Sequence, residues 1–140
     1  MDINYLAVVV CGVVAMILGG LWYGPLFGKM WMQGMGWDPN NAELMAQKKK
    51  SAGPAYAQMF VLSLVQAYVL ANVLVWVFYE VDSTVVAGIV TGAFVWLGFI
   101  LPVKYGDKLW GDKAFKYVAI DLSYYLILLI VMGIILSVWK

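Results

Sequence analysis

The stretch LSYYLILLIVMGIILSVW, residues 122–139, decides the fold. Its 18 residues carry no charge. As a helix rising about 1.5 Å per residue it is about 27 Å long, close to the thickness of a bilayer's hydrocarbon core, about 30 Å. Three more uncharged runs precede it, residues 3–28, 51–79 and 83–103, of 26, 29 and 21 residues. Across the 140 residues, 64% are hydrophobic and 12% charged. An ordinary soluble domain has about 45–50% and about 25%. The excess excludes a soluble domain of this size and a disordered chain. The runs show no period of two, so they are helices rather than barrel strands. The expected fold is all-α: one domain, residues 1–140, forming an integral membrane four-helix bundle. The spans fall at about residues 4–23, 55–78, 84–101 and 114–138, with a long first loop at 24–54.

Start and stop residues support these limits. Gly24-Pro25 ends span one, because Pro lacks a donor and restricts the residue before it. Gly53-Pro54 opens span two, Pro102 stops span three, and Asp82 or Ser83 caps its start. Asp112 is the expected cap of span four. The first apolar run is too long for a signal-peptide core and lacks a basic flank, so it is expected to stay as a permanent span. In the first loop, Leu26–Met32 suits a short segment in the headgroup boundary. A short separate helix should follow, capped by Asp38, with Pro39 in its first turn and Asn40 and Glu43 at capping-box spacing. It would run through Lys48-Lys49-Lys50 and end at Gly53-Pro54.

Lysine placement sets orientation. Lys29, Lys48, Lys49 and Lys50 lie between spans one and two, and Lys104, Lys108, Lys113 and Lys116 lie between spans three and four. The other side has only Lys140, with Asp2, Glu80 and Asp82. The positive-inside rule makes the lysine-bearing loops cytoplasmic and both termini external. These eight lysines can also touch anionic lipid headgroups, at about 1 kcal/mol each near the surface. Aromatic residues collect at both ends, among them Trp22, Tyr23, Trp31, Trp37 and Trp110 on the lysine side, where rings anchor at headgroup level. Pro25 with Lys29-Met30-Trp31 is echoed by Pro102 with Lys108-Leu109-Trp110. Two parallel helical hairpins would give this echo, and so would the general habit of Pro, Lys and Trp to gather where helices leave a membrane.

The run Leu21-Trp22-Tyr23-Gly24-Pro25-Leu26-Phe27-Gly28-Lys29-Met30-Trp31 resembles the segment after the first span in the family catalogued as domain of unknown function 1761. Gly98-Phe99-Ile100-Leu101-Pro102, Leu109-Trp110, Tyr124 and the closing Met132-Gly133 through Trp139 extend the likeness over nearly the whole chain. The resemblance implies a small bacterial four-span protein of the cytoplasmic (inner) membrane and no known activity. It also implies that Asn often occupies the position of Asp121, so a charge there is not general to the family.

Asp121 is the one acidic residue inside an expected span. A carboxylate at mid-bilayer costs about 2.5–3.5 kcal/mol, less near the interface, and needs a partner, a proton or water. Tyr117, Tyr124 and Tyr125, at i−4, i+3 and i+4, share its helix face, and Lys104 or Lys108 is within reach. A proton or cation site and an interhelical hydrogen bond are both consistent with this placement. Gln58, Gln66 and Asn72 of span two fall within an arc of about 120°. Such an arc avoids lipid, either as a polar pathway or as glue between helices. Cys11, Ala15 and Gly19, and likewise Gly88 and Gly92, are small residues spaced by four, which lets helices approach closely within one chain or between two.

Chemistry is limited by inventory. There is no His and a single Cys, so His metal sites, His-based triads and zinc or redox cysteine pairs are excluded. No phosphate-binding glycine loop occurs, and no cofactor, metal, nucleic acid or enzymatic activity is expected. The expected function is that of a small homo-oligomeric channel- or transporter-like protein for a small solute or ion, its pathway between protomers. The alternative is a membrane scaffold or lipid-interacting protein that transports nothing.

Overall fold

The computed structural model describes residues 2–77 and 84–139. The expected features at Glu80, Asp82, Ser83 and Lys140 lie outside the described residues. Helix α1 (Tyr5–Leu21) is capped by Asn4, whose side chain accepts from the Leu6 and Ala7 amides at 3.0 and 3.2 Å. It runs on through a wide π-helical turn, Trp22–Leu26. Helix α2 (Gly28–Gly34) is short, and α3 (Ala42–Val77) has 36 residues. Helix α4 (Thr84–Val95) passes through a second wide turn, Trp96–Ile100, into α5 (Leu101–Trp110). Helix α6 (Phe115–Val138) closes the chain. Four continuous stretches are long and apolar enough to cross a membrane: Tyr5–Leu26, Ala42–Val77, Val85–Trp110 and Phe115–Val138. The chain is a multi-pass membrane protein built as a helical bundle.

Several expected boundaries move, each for a physical reason. The loop helix and span two are one helix, with Pro54 inside it. Lys50, whose carbonyl loses its donor to Pro54, is exposed, as are Gly53 and Pro54, and Gly53 crowds nothing. At 36 residues the helix is about 54 Å long and overshoots a hydrocarbon core of about 30 Å. Its cap is Asn41, which accepts from the Leu44 amide at 3.1 Å, while Asp38 holds a local turn through the Asn40 amide at 2.9 Å. Asn41 wins because it stands directly before the first helical residue. The first span ends at Leu26, one residue past Pro25, close to the expected stop, whereas Pro102 does not stop its helix. Pro25 lies inside the first wide turn, where the Phe27 amide bonds to the Trp22 carbonyl at 2.9 Å, five residues back. Pro102 stands two residues past the end of the second, as the second residue of α5. A wide turn moves carbonyls away from the proline ring and absorbs the missing donor. Asp112 does not cap α6: it takes φ 52°, which a short polar side chain tolerates, and Ala114 holds the cap position with no side-chain hydrogen bond.

Helix α6 is the hub, packed against α1, α3, α4 and α5. Val118, Ile120, Leu122, Tyr124, Leu128 and Met132 are among its buried residues. Against them lie Ala7, Cys11 and Ala15 of α1 and Ala67, Leu70 and Leu74 of α3. The outer faces carry exposed Val13, Ile17, Leu62, Val69, Phe94 and Phe99, as lipid contact requires. The closest approach joins α4 to α6. A methyl on Gly88 would lie 2.5 Å from the Gly133 carbonyl oxygen, and one on Gly92 would lie 2.5 Å from that of Leu129. Small residues thus let two backbones touch. The Gly88/Gly92 and Cys11/Ala15 faces are both spent inside one chain.

Candidate functional site

Asp121 is the seventh residue of α6, about 9 Å from its start. The Tyr23 hydroxyl donates to its Oδ1 at 2.7 Å, and Lys104 Nζ approaches its Oδ2 at 3.4 Å. Lys104 also lies 3.9 Å from Asp107. Both wide turns build this arrangement. The first tilts Tyr23 from α1 onto α6, and the second lets the helix run past Pro102 so that Lys104 comes alongside. Each turn opens with a Trp whose indole N–H donates to a carbonyl beside Asp121. Trp22 reaches Ile120 O at 3.1 Å, and Trp96 reaches Leu122 O at 2.8 Å. The two segments match as Trp22-x-Gly24-x-Leu26 and Trp96-x-Gly98-x-Ile100. This correspondence differs from the Pro-Lys-Trp echo, and it leaves Pro25 opposite Phe99.

The three tyrosines on Asp121's own helix go elsewhere. Tyr124 donates to Ala15 O at 3.1 Å, Tyr125 packs edge-on against Tyr124 at 5.0 Å, and Tyr117 lies over Gly34. A phenol is too long to fold back onto a carboxylate one turn away, whereas one from a facing helix meets it end-on. Tyr23 and Trp22, expected from the sequence to anchor at headgroup level, turn inward instead. Inside a bundle their polar tips need acceptors, and the spare lone pairs of α6 carbonyls and Asp121 supply them. The signal available in the sequence was the repeated Trp-x-Gly pattern upstream of each proline.

The amides of α3 stand apart from Asp121. Asn72 donates to Tyr68 O of its own helix at 2.8 Å. Gln58 is exposed, and Gln66 is half-buried with no hydrogen-bond partner among the described residues. At about 100° per residue, Gln58 and Asn72 lie nearly opposite the buried stripe of Ser63, Ala67, Leu70 and Leu74, and Gln66 lies at its edge. The arc therefore faces outward and does not line this chain's interior.

Lysines surround the Asp121 end. Lys48 sits over the Trp37 ring at 4.3 Å, and Trp37, Trp31 and Tyr23 follow in edge-on contact at 5.1 and 5.4 Å. Lys108 and Lys116 lie over Tyr105 and Tyr117 at 5.5 and 5.0 Å. Lys29, Lys49, Lys50 and Lys113 are exposed. A recess opens here between α2, α5 and the start of α6, bounded by Trp31, Lys104, Asp107, Lys113, Tyr117 and Asp121. With its open mouth it holds about 330 Å³, and its floor has room for about one water. Beyond it the interior is apolar. Ser63 and Ser137 bond to their own helix, and Thr91 Oγ1 is buried without a partner. No polar thread among the described residues runs from the recess to the opposite end.

These features define a class: a four-span helical membrane protein whose two wide turns brace a carboxylate on its central helix. The chain belongs to the family of proteins of unknown function DUF1761, which matches residues 6–137. No curated protein and no solved structure matches it.

Proposed function

We propose that the protein is a non-enzymatic component of the bacterial cytoplasmic membrane that assembles with copies of itself and passes a small solute or ion between protomers. The observation that carries this reading is Gln66. It lies about 16 Å from the Val77 end of α3, deep in the membrane, with no partner for its amide. A second protomer's α3 would supply one. Gln58 and Asn72 sit on the adjoining outer surface, and together the three would line a polar route that a single chain lacks. The lysine-rich end faces the cytoplasm and both termini face outward, by the charge asymmetry. Exposed Lys29, Lys49 and Lys50 are placed to meet anionic headgroups.

The test is reconstitution. Gln66→Cys should form a disulfide-linked dimer in lipid, and Gln66→Leu should abolish ion or small-solute flux while the protein stays folded. A monomer in lipid, or flux indifferent to Gln66, refutes the reading. A second reading, a scaffold that transports nothing, is favoured by the apolar interior and the closed Tyr23–Asp121–Lys104 contact. It predicts an oligomer with a dry interface and no flux of any solute.

A further inference from the structure

We infer that the recess beside Asp121 binds a phosphoethanolamine group, the headgroup of an amine-bearing zwitterionic phospholipid. This inference is independent of the oligomer and of any transport.

The charges of the recess are mixed and unequally engaged. Asp121 is occupied by Tyr23 and Lys104. Asp107 keeps only the 3.9 Å contact with Lys104, and its side chain is 54% exposed. Lys113 is exposed, with no carboxylate within 4.0 Å among the described residues. The mouth therefore offers one available carboxylate and one available ammonium across a single opening. A simple anion would gain Lys113 and be repelled by Asp107, and a simple cation would meet the reverse. A zwitterion satisfies both. Its ammonium must also donate hydrogen bonds to Asp107, which ethanolamine does and quaternary choline cannot.

Position favours a lipid as carrier of this group. The recess lies where the lysines and aromatics of the bundle gather, at headgroup depth. Met35, just past α2, lines it with an exposed side chain, and the elements around it carry exposed Met30, Val103 and Phe115, apolar surface against which acyl chains can lie. Trp110, 89% exposed at the end of α5, is a ring of the kind that rests among headgroups.

Native mass spectrometry of the full-length protein tests this, using detergent micelles with equimolar phosphatidylethanolamine, phosphatidylcholine and phosphatidylglycerol. The protein should retain phosphatidylethanolamine over each of the others by about three- to five-fold, the yield of one partly exposed charge pair. Asp107→Asn and Lys113→Gln should each erase the preference. Both side chains are solvent-exposed, and unchanged circular dichroism will show that the fold is intact. Glycerophosphoethanolamine, which has the headgroup without tails, separates the sources. If it binds and depends on Asp107 and Lys113 while no lipid preference appears, the same chemistry serves a soluble ligand. A preference for phosphatidylglycerol, equal retention of all lipids with no headgroup binding, or a preference that survives both substitutions overturns the proposal.

Discussion

Removing the Tyr23 hydroxyl should expose how tightly Asp121 ties α1 to α6. The hydroxyl donates to Asp121 Oδ1 at 2.7 Å. A hydrogen bond to a charged acceptor contributes about 1.5–3 kcal/mol. The Asp121 side chain is 25% exposed, which places Tyr23→Phe at the lower end, about 1.5 kcal/mol. The Lys104 pair at 3.4 Å, its lysine 30% exposed, falls between a surface pair of about 0–1 kcal/mol and a broken buried pair of about 3–5 kcal/mol, hence about 1–2 kcal/mol. Asp121→Ala loses both, about 3 kcal/mol. The double variant Tyr23→Phe/Asp121→Ala should be no worse than Asp121→Ala alone, a coupling of about 1.5 kcal/mol. Asp121→Asn keeps an acceptor for Tyr23 and gives up only the ion pair, so it should cost about half as much as Ala. Reversible unfolding in mixed micelles, followed by circular dichroism, reads all four. Costs that simply add to within about 0.5 kcal/mol, or an Asn variant as damaged as Ala, would refute this account.

Three further outcomes follow from the packing. Gly88→Ala should destabilise by about 1–3 kcal/mol, because its methyl meets the Gly133 carbonyl. Gly20→Ala, with nothing within 4 Å, should be neutral or gain up to about 1 kcal/mol, and the same unfolding assay compares them. Trp96→Phe should cost about 1 kcal/mol in the same unfolding assay, because the indole donor to the Leu122 carbonyl is lost. Asn41→Ala should cost about 1 kcal/mol locally, seen as faster exchange over residues 42–47 with the bundle's midpoint unchanged.

The four spans were legible because an uncharged run needs only to be counted. Asp121 stood out as the one carboxylate inside an expected span, and chain reach alone made Lys104 a candidate partner. The facing partner was not legible. A membrane helix is apolar all round, so its sequence does not say which face meets which neighbour, and Tyr23 could be placed only once α1 was packed on α6. Gly88 and Gly92 could be picked out by spacing, but not the backbone they meet on α6, at Gly133 and Leu129. The prolines misled for a different reason. In water they end helices, but here Pro102 sits in α5 just past a wide turn, and Pro54 sits inside α3 where exposed Lys50 is the residue whose carbonyl loses its donor.

The two indoles grip carbonyls two residues apart, about 200° around the helix, so they take hold of α6 from nearly opposite sides. An axle pinned on both flanks cannot spin by one residue without releasing both pins at once. Any working motion of this molecule must then pivot the outer rods about a stationary spindle.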